Sequence, residues 1–147
     1  MLAYFLVAAV LPTLILGHGI IPCPGGLPPP TSLTISGCPA SPCQVRNGDS
    51  LTYTVGFVPN SASPTMTLSI TSTVLGETRD IELGPLSNAC TNMSPACPTV
   101  ANQPVTQSAT VPIVTDLHDG IPAQLRVTIT NSANAVQLCA LINLLMM

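Results

Sequence analysis

Lysine and tryptophan are missing from this chain, and charge of either sign is scarce. Its 147 residues carry three arginines and six acids, a charged fraction of 6% where roughly 25% is usual. A formal charge of −3 with no lysine leaves no basic footprint, which argues against nucleic acid and anionic membrane surfaces as partners. Periodic helical patterns are lacking too: there is no amphipathic helix, no heptad and no internal repeat. Without tryptophan, the antibody-type sandwich is disfavoured, because its inter-sheet bridge packs on that residue.

What the chain does contain is proline (16 residues) and a middle region dominated by Val, Ile, Thr and Ser, a mixture that favours short strands and tight turns. Met1 to Gly19 reads as a secretory signal: an apolar run from Leu2 to Leu16, then Gly17-His18-Gly19 with small residues at the cleavage positions. The competing reading is a membrane anchor, but the run is broken by Pro12 and is shorter than the ~20 residues a span needs. Cleavage after Gly19 leaves one domain, residues 20–147, in a secreted or lysosomal compartment. All six cysteines, at 23, 38, 43, 90, 97 and 139, stay in that domain. An even number in a secreted chain points to three disulfides, with fifteen possible connectivities.

Thr31–Ser36 alternates, with Leu33 and Ile35 on one face. Cys38-Pro-Ala-Ser-Pro-Cys43 is a short stiff loop, and Asn47-Gly48 a turn signal. Leu51, Tyr53, Val55 and Phe57 then share one face of the cleanest half-buried strand. Met66, Leu68 and Ile70 point inward from Thr65–Leu75. After Gly76, Arg79–Leu83 reads as a further strand with Ile81 and Leu83 on one face. Val105–Val114, interrupted by Pro112, reads as an edge or bent strand carrying Val111 and Ile113. Leu125, Val127 and Ile129 point inward from Ala123–Thr130, and Ala135–Met147 closes the chain. About seven short strands with turns between them predict an all-β, immunoglobulin-like antiparallel sandwich.

Residues able to carry catalysis are few. His118, the one histidine after Gly19, lies between Asp116 and Asp119 and reads as part of a turn. With the cysteines committed to disulfides, a single imidazole cannot build a zinc site. Asp80 and Glu82 share a face beside Arg79 and read as a solvated edge rather than an acid/base pair. No enzyme, metal or cofactor is predicted. Asn92-Met93-Ser94 is the one glycosylation sequon, inside the Cys90–Cys97 loop and directly followed by Pro95. The apolar tail Leu138–Met147 is too short to span a membrane. A glycolipid-anchor signal there would remove Cys139, so a last core strand is the preferred reading.

Several of these features occur together in one family. Cys38-Pro-x-x-Pro-Cys43, the Asn47-Gly48-Asp49-Ser50 turn, Cys97-Pro98, Val111-Pro112-Ile113, Ile121-Pro122 and the late Cys139 resemble the ML-domain lipid-recognition family of Niemann-Pick type C2-like and group 2 mite allergen-like proteins. The resemblance covers nearly all of residues 20–147. It implies the pairs Cys23–Cys139, Cys38–Cys43 and Cys90–Cys97, and two sheets splayed around an apolar pocket. Ile81, Ile113 and Ile121 fall near the family's pocket mouth, where its sterol-binding members commonly carry aromatics. Leu51, Tyr53, Val55, Met66, Leu68, Ile70, Leu83, Val111, Val127 and Ile129 fall on inward faces, Ile129 standing about where a tryptophan is usual. The implied function is a secreted, monomeric carrier of a sterol, fatty acid or similar lipid, exchanging with a membrane or a receptor. Alternation alone leaves a second function open, a structural or adhesion sandwich with a filled core that acts through its surface.

Overall fold

Among the described residues ten strands build two sheets. The structure, a computed structural model, describes residues 20–38, 41–113 and 120–147. The signal-like segment and the Asp116–His118–Asp119 turn therefore lie outside the described residues. In chain order the strands are β1 (Ile21–Pro22), β2 (Ser32–Ile35), β3 (Cys43–Val45), β4 (Ser50–Phe57), β5 (Met66–Val74), β6 (Glu77–Asp80), β7 (Met93–Ser94), β8 (Val105–Pro112), β9 (Pro122–Asn131) and β10 (Val136–Met146). Seven of them have four or more residues, matching the sequence expectation.

The first sheet runs β1-β10-β9-β5-β6, with β3 also on β10, and the second runs β2-β4-β8-β7. All pairings are antiparallel except β3 on β10. Strand alternation decides which side chains meet, because successive Cβ atoms point to opposite faces. From the second sheet Leu33, Leu51, Tyr53, Val55, Phe57 and Val111 turn inward. Met66, Leu68, Ile70, Val127, Ile129, Leu138 and Ile142 oppose them from the first, all in one buried cluster. Outward-facing hydroxyls pair across β4 and β8, Thr52 with Thr110 and Thr54 with Ser108, each at 2.8 Å. At Gly56 in β4 a Cβ would lie 2.6 Å from Ser32 Oγ on the neighbouring strand, a close approach that rotation of the serine relieves.

Two expectations need correction. The strand expected over Arg79–Leu83 lies earlier: β6 runs Glu77–Asp80, and the chain leads through Ile81–Leu83 into a 3-10 turn at Gly84–Ser87. Pro85, at the start of that turn, has no N–H to give a sheet ladder. The Cys90–Cys97 loop, in turn, is not wholly irregular. It holds a second 3-10 turn and β7, whose Met93 is buried.

The disulfides are Cys23–Cys139, Cys38–Cys43 and Cys90–Cys97. The first ties the N-terminal lead-in to β10. The second closes the short loop before β3, where the chain leaves the second sheet to pair with β10 on the first. The third holds the loop that joins the sheets along the opposite edge, where the Met66 N–H donates to Cys90 Sγ (3.2 Å) and Asn88 bridges to Thr67.

Candidate functional site: an apolar cavity between the sheets

Those cross-links close the sandwich along the β3 side and at the Met66 end of β5. The other end of β5 has none of them. There the β5–β6 hairpin reaches out from the first sheet opposite the end of β8, and a cavity of about 810 Å³ opens between them. Val74, Ala123, Leu125, Leu144 and Met146 line it from the first sheet, Pro112 and Ile113 from the end of β8, and Ile81 from the segment after β6. Most ligand pockets fall at ~300–1,000 Å³.

Each wall follows from strand register. On β9 and β10, Ala123 pairs with Leu144 and Leu125 with Ile142, so alternate residues of both strands face the second sheet. On β5, Ser72 and Val74 continue the inward row of Met66, Leu68 and Ile70. Their partners on β6 are Arg79 and Glu77 respectively, so these two charged residues sit on the inner face, at the border of the cavity. Arg79 donates from Nε and Nη2 to Glu77 Oε1 at 3.3 and 3.0 Å. The pair is well exposed, at 76% and 67% of the side chains. Asp80 and Glu82 border the same opening. Ile113 is pinned to the Asn47–Asp49 turn: it donates to the Asp49 carbonyl (2.7 Å), and its own carbonyl accepts from the Gly48 N–H (2.8 Å).

Of the residues expected to line a pocket, Ile81 and Ile113 border this cavity. Leu51, Tyr53, Val55, Met66, Leu68, Ile70, Val111, Val127 and Ile129 are packed in the core, while Leu83 and Ile121 are half-buried. Sequence reasoning passed over Val74, Leu144, Met146 and the Glu77–Arg79 pair. Asn143 was an available signal: a polar residue in an apolar tail marks the outward face and so places Ile142, Leu144 and Met146 inward. Asn92 of the sequon is exposed.

One polar pair interrupts the apolar core. Tyr53 Oη and Gln107 Oε1 are buried without a hydrogen-bond partner of good geometry. Burial pushes the Tyr53 phenol well above its ordinary value, and the nearby Gln107 side chain offsets this only in part. A separate, more open depression of about 480 Å³ lies by the outward residues Thr73, Gln124 and Asn143. Among the described residues no group of His, Cys, Asp and Glu is placed to hold a metal ion.

A disulfide-stapled sandwich with an apolar cavity between its sheets has the architecture of a carrier for apolar ligands. The ML-domain family profile matches residues 20–145, and the chain belongs to that family, whose members are lipid-binding proteins and not enzymes. Among solved structures, the Niemann-Pick type C2 protein from Japanese carpenter ant is similar over 88% of this chain and 99% of its own, with a TM-score of 0.73 and 11% identity. Chicken MD-1, solved in complex with lipid IVa, aligns over 75% of this chain and 76% of its own with a TM-score of 0.48 and 12% identity. No curated protein matches the chain at a significant level.

Proposed function

We propose that the protein is a secreted lipid-transfer protein that holds a sterol, fatty acid or similar lipid in the cavity between its sheets. The observation that carries this reading is the cavity of about 810 Å³ with Val74, Ile81, Ile113, Leu125, Leu144 and Met146 on its walls. Family membership supports the ligand class. Such walls bind by area, at roughly 25 cal/mol per Å² of apolar surface removed from water. They tolerate different chains and give loose selectivity along the tail. In this reading residues 1–19 are a signal peptide, the destination is extracellular fluid or the lysosomal lumen, and the monomer delivers its lipid to a membrane or a receptor. Ile113 and Ile81 stand at the entrance.

Two measurements test it. Mass spectrometry of an organic extract of the purified protein is expected to find co-purifying lipid. Repeated absence of lipid would favour the surface-acting sandwich instead. Ile113→Asp puts a carboxylate where an apolar chain must pass, a penalty of several kcal/mol if it is buried unpaired. A fluorescent sterol or fatty acid is expected to lose at least tenfold in affinity while the far-UV circular dichroism stays β-type. Ile81→Asp, at a half-buried position, is the milder counterpart. Unchanged binding in both folded variants would place the entrance elsewhere.

A further inference from the structure

Of the apolar walls of the cavity, one carries a reactive atom. Val74, Ile81, Ile113, Leu125 and Leu144 offer hydrocarbon, whereas Met146 brings a thioether sulfur. It is the only sulfur-bearing residue lining the cavity among the described residues. No thiol competes with it, because the six cysteines are closed in disulfides. The end of β10 is held on both sides. The Met146 N–H donates to the Ile121 carbonyl (3.0 Å) and its own carbonyl accepts from the Gly120 N–H (2.7 Å). On the other side the Met147 N–H donates to the Val45 carbonyl of β3 (2.9 Å). A strand fixed in this way sends consecutive side chains to opposite faces. Met146 is therefore kept inside, 2% exposed, and Met147 outside, 46% exposed.

We infer that Met146 is a modification site whose oxidant is the cargo itself: a lipid hydroperoxide held in the cavity oxidises it to the sulfoxide and leaves as the lipid alcohol. The inference rests on the proposed lipid-carrying cavity and adds an oxidised class to its ligands. Walls that bind by area and select loosely along the tail also admit oxidised chains. The thioether sulfur attacks the terminal peroxide oxygen. The O–O bond breaks, the S–O bond forms, and the hydroperoxide proton passes to the alkoxide oxygen. Sulfur supplies both electrons, so no other reductant enters and each chain reacts once. The product replaces a flexible apolar side chain with a polar one. Because the wall binds by apolar area, affinity for further lipid falls until the sulfoxide is reduced.

The test treats the purified protein with equimolar linoleic acid hydroperoxide or with tert-butyl hydroperoxide, which has the same reactive group and no long chain. Fragment-ion mass spectrometry then separates sulfoxide at the two adjacent methionines. With tert-butyl hydroperoxide the exposed Met147 is expected to oxidise first. With the lipid hydroperoxide the order is expected to reverse, Met146 leading severalfold, and excess palmitic acid should protect Met146 but not Met147. Met147→Leu should still convert the hydroperoxide to its alcohol, and Met146→Leu should convert little. Treated parent protein should bind the fluorophore N-phenyl-1-naphthylamine severalfold more weakly than untreated parent, whereas Met146→Leu should show no such change on treatment. The same methionine leading with both oxidants overturns the assignment, as does a lipid hydroperoxide that leaves Met146 unmodified. In either case the cavity reading stands if palmitic acid displaces bound fluorophore. If neither the fluorophore nor palmitic acid binds, the cavity reading fails and takes this assignment with it.

Discussion

Tyr53 shows what a single buried polar atom does in an apolar sandwich. Its phenol oxygen lacks a well-formed hydrogen bond, and burial holds the group neutral to higher pH than in the unfolded chain. The unfolded state releases the phenolic proton near pH 10, where the folded state keeps it. Stability from this group is therefore intact below about pH 10 and declines as pH rises past that point. Tyr53→Phe is expected to flatten the alkaline limb of a denaturation-versus-pH curve. It should leave neutral-pH stability unchanged or raise it by about 1 kcal/mol, since a buried hydroxyl without a partner carries an uncompensated desolvation cost. An unchanged alkaline limb would mean that another group controls it.

Elements carry the next level of constraint, and the β5–β6 hairpin is the least conventional. Leu75 and Gly76 form a two-residue turn between Val74 and Glu77, with φ of 52° and 80°. Positive φ at both positions is the type I′ pattern, for which Asn-Gly is the favoured pair. Leucine strains this conformation, and here 80% of it is exposed, so packing does not compensate. Leu75→Asn is expected to stabilise by about 0.5–1 kcal/mol, seen as a rise in melting temperature of roughly 2–4 °C. A drop would show that the leucine makes a contact that outweighs the strain.

The last strand is the other instructive element. From Gln137 to Ala140 four consecutive residues are buried, and the register with β9 shifts between Val136 and Leu138. Alternation fails there because side chains of the outward row are covered as well: Cys139 is bridged to Cys23 of the lead-in, and Gln137 Oε1 accepts from the Asn60 N–H (3.0 Å). A run with both faces buried resembles a greasy tail when only sequence is read.

At the scale of the molecule, the Cys23–Cys139 bridge spans a sequence separation of 116 and joins the two ends of the described domain. In the chain-entropy account a loop of this order is worth about 4–5 kcal/mol, a large part of a typical domain's ~5–15 kcal/mol. Replacing both cysteines with serine should cost most of that amount in chemical denaturation. The Cys38–Cys43 loop spans only 5 residues, so the same pair of changes there should cost less. Equal losses from the two bridges would point to native-state packing rather than chain entropy as the source.

Residue order by itself determined the strand class, the inward rows and the family. A period of two assigns Leu51–Phe57, Met66–Ile70 and Leu125–Ile129 to faces without reference to any other strand. The motif from Cys38 to Ser50, with Cys97-Pro98 and Cys139, was specific enough to imply all three bridges found. What tertiary structure alone decided is which inward residues border open space. Alternation reports a face and says nothing about the distance to the opposite sheet. That distance depends on where cross-links hold the sheets together: the Cys38–Cys43 bridge before β3 and the Cys90–Cys97 loop do so, and the core there is filled. Between β6 and the end of β8 the sheets part. Val74, Leu144, Met146 and the Glu77–Arg79 pair become cavity walls there, although nothing in their local sequence distinguishes them from residues of a packed core or a solvated edge.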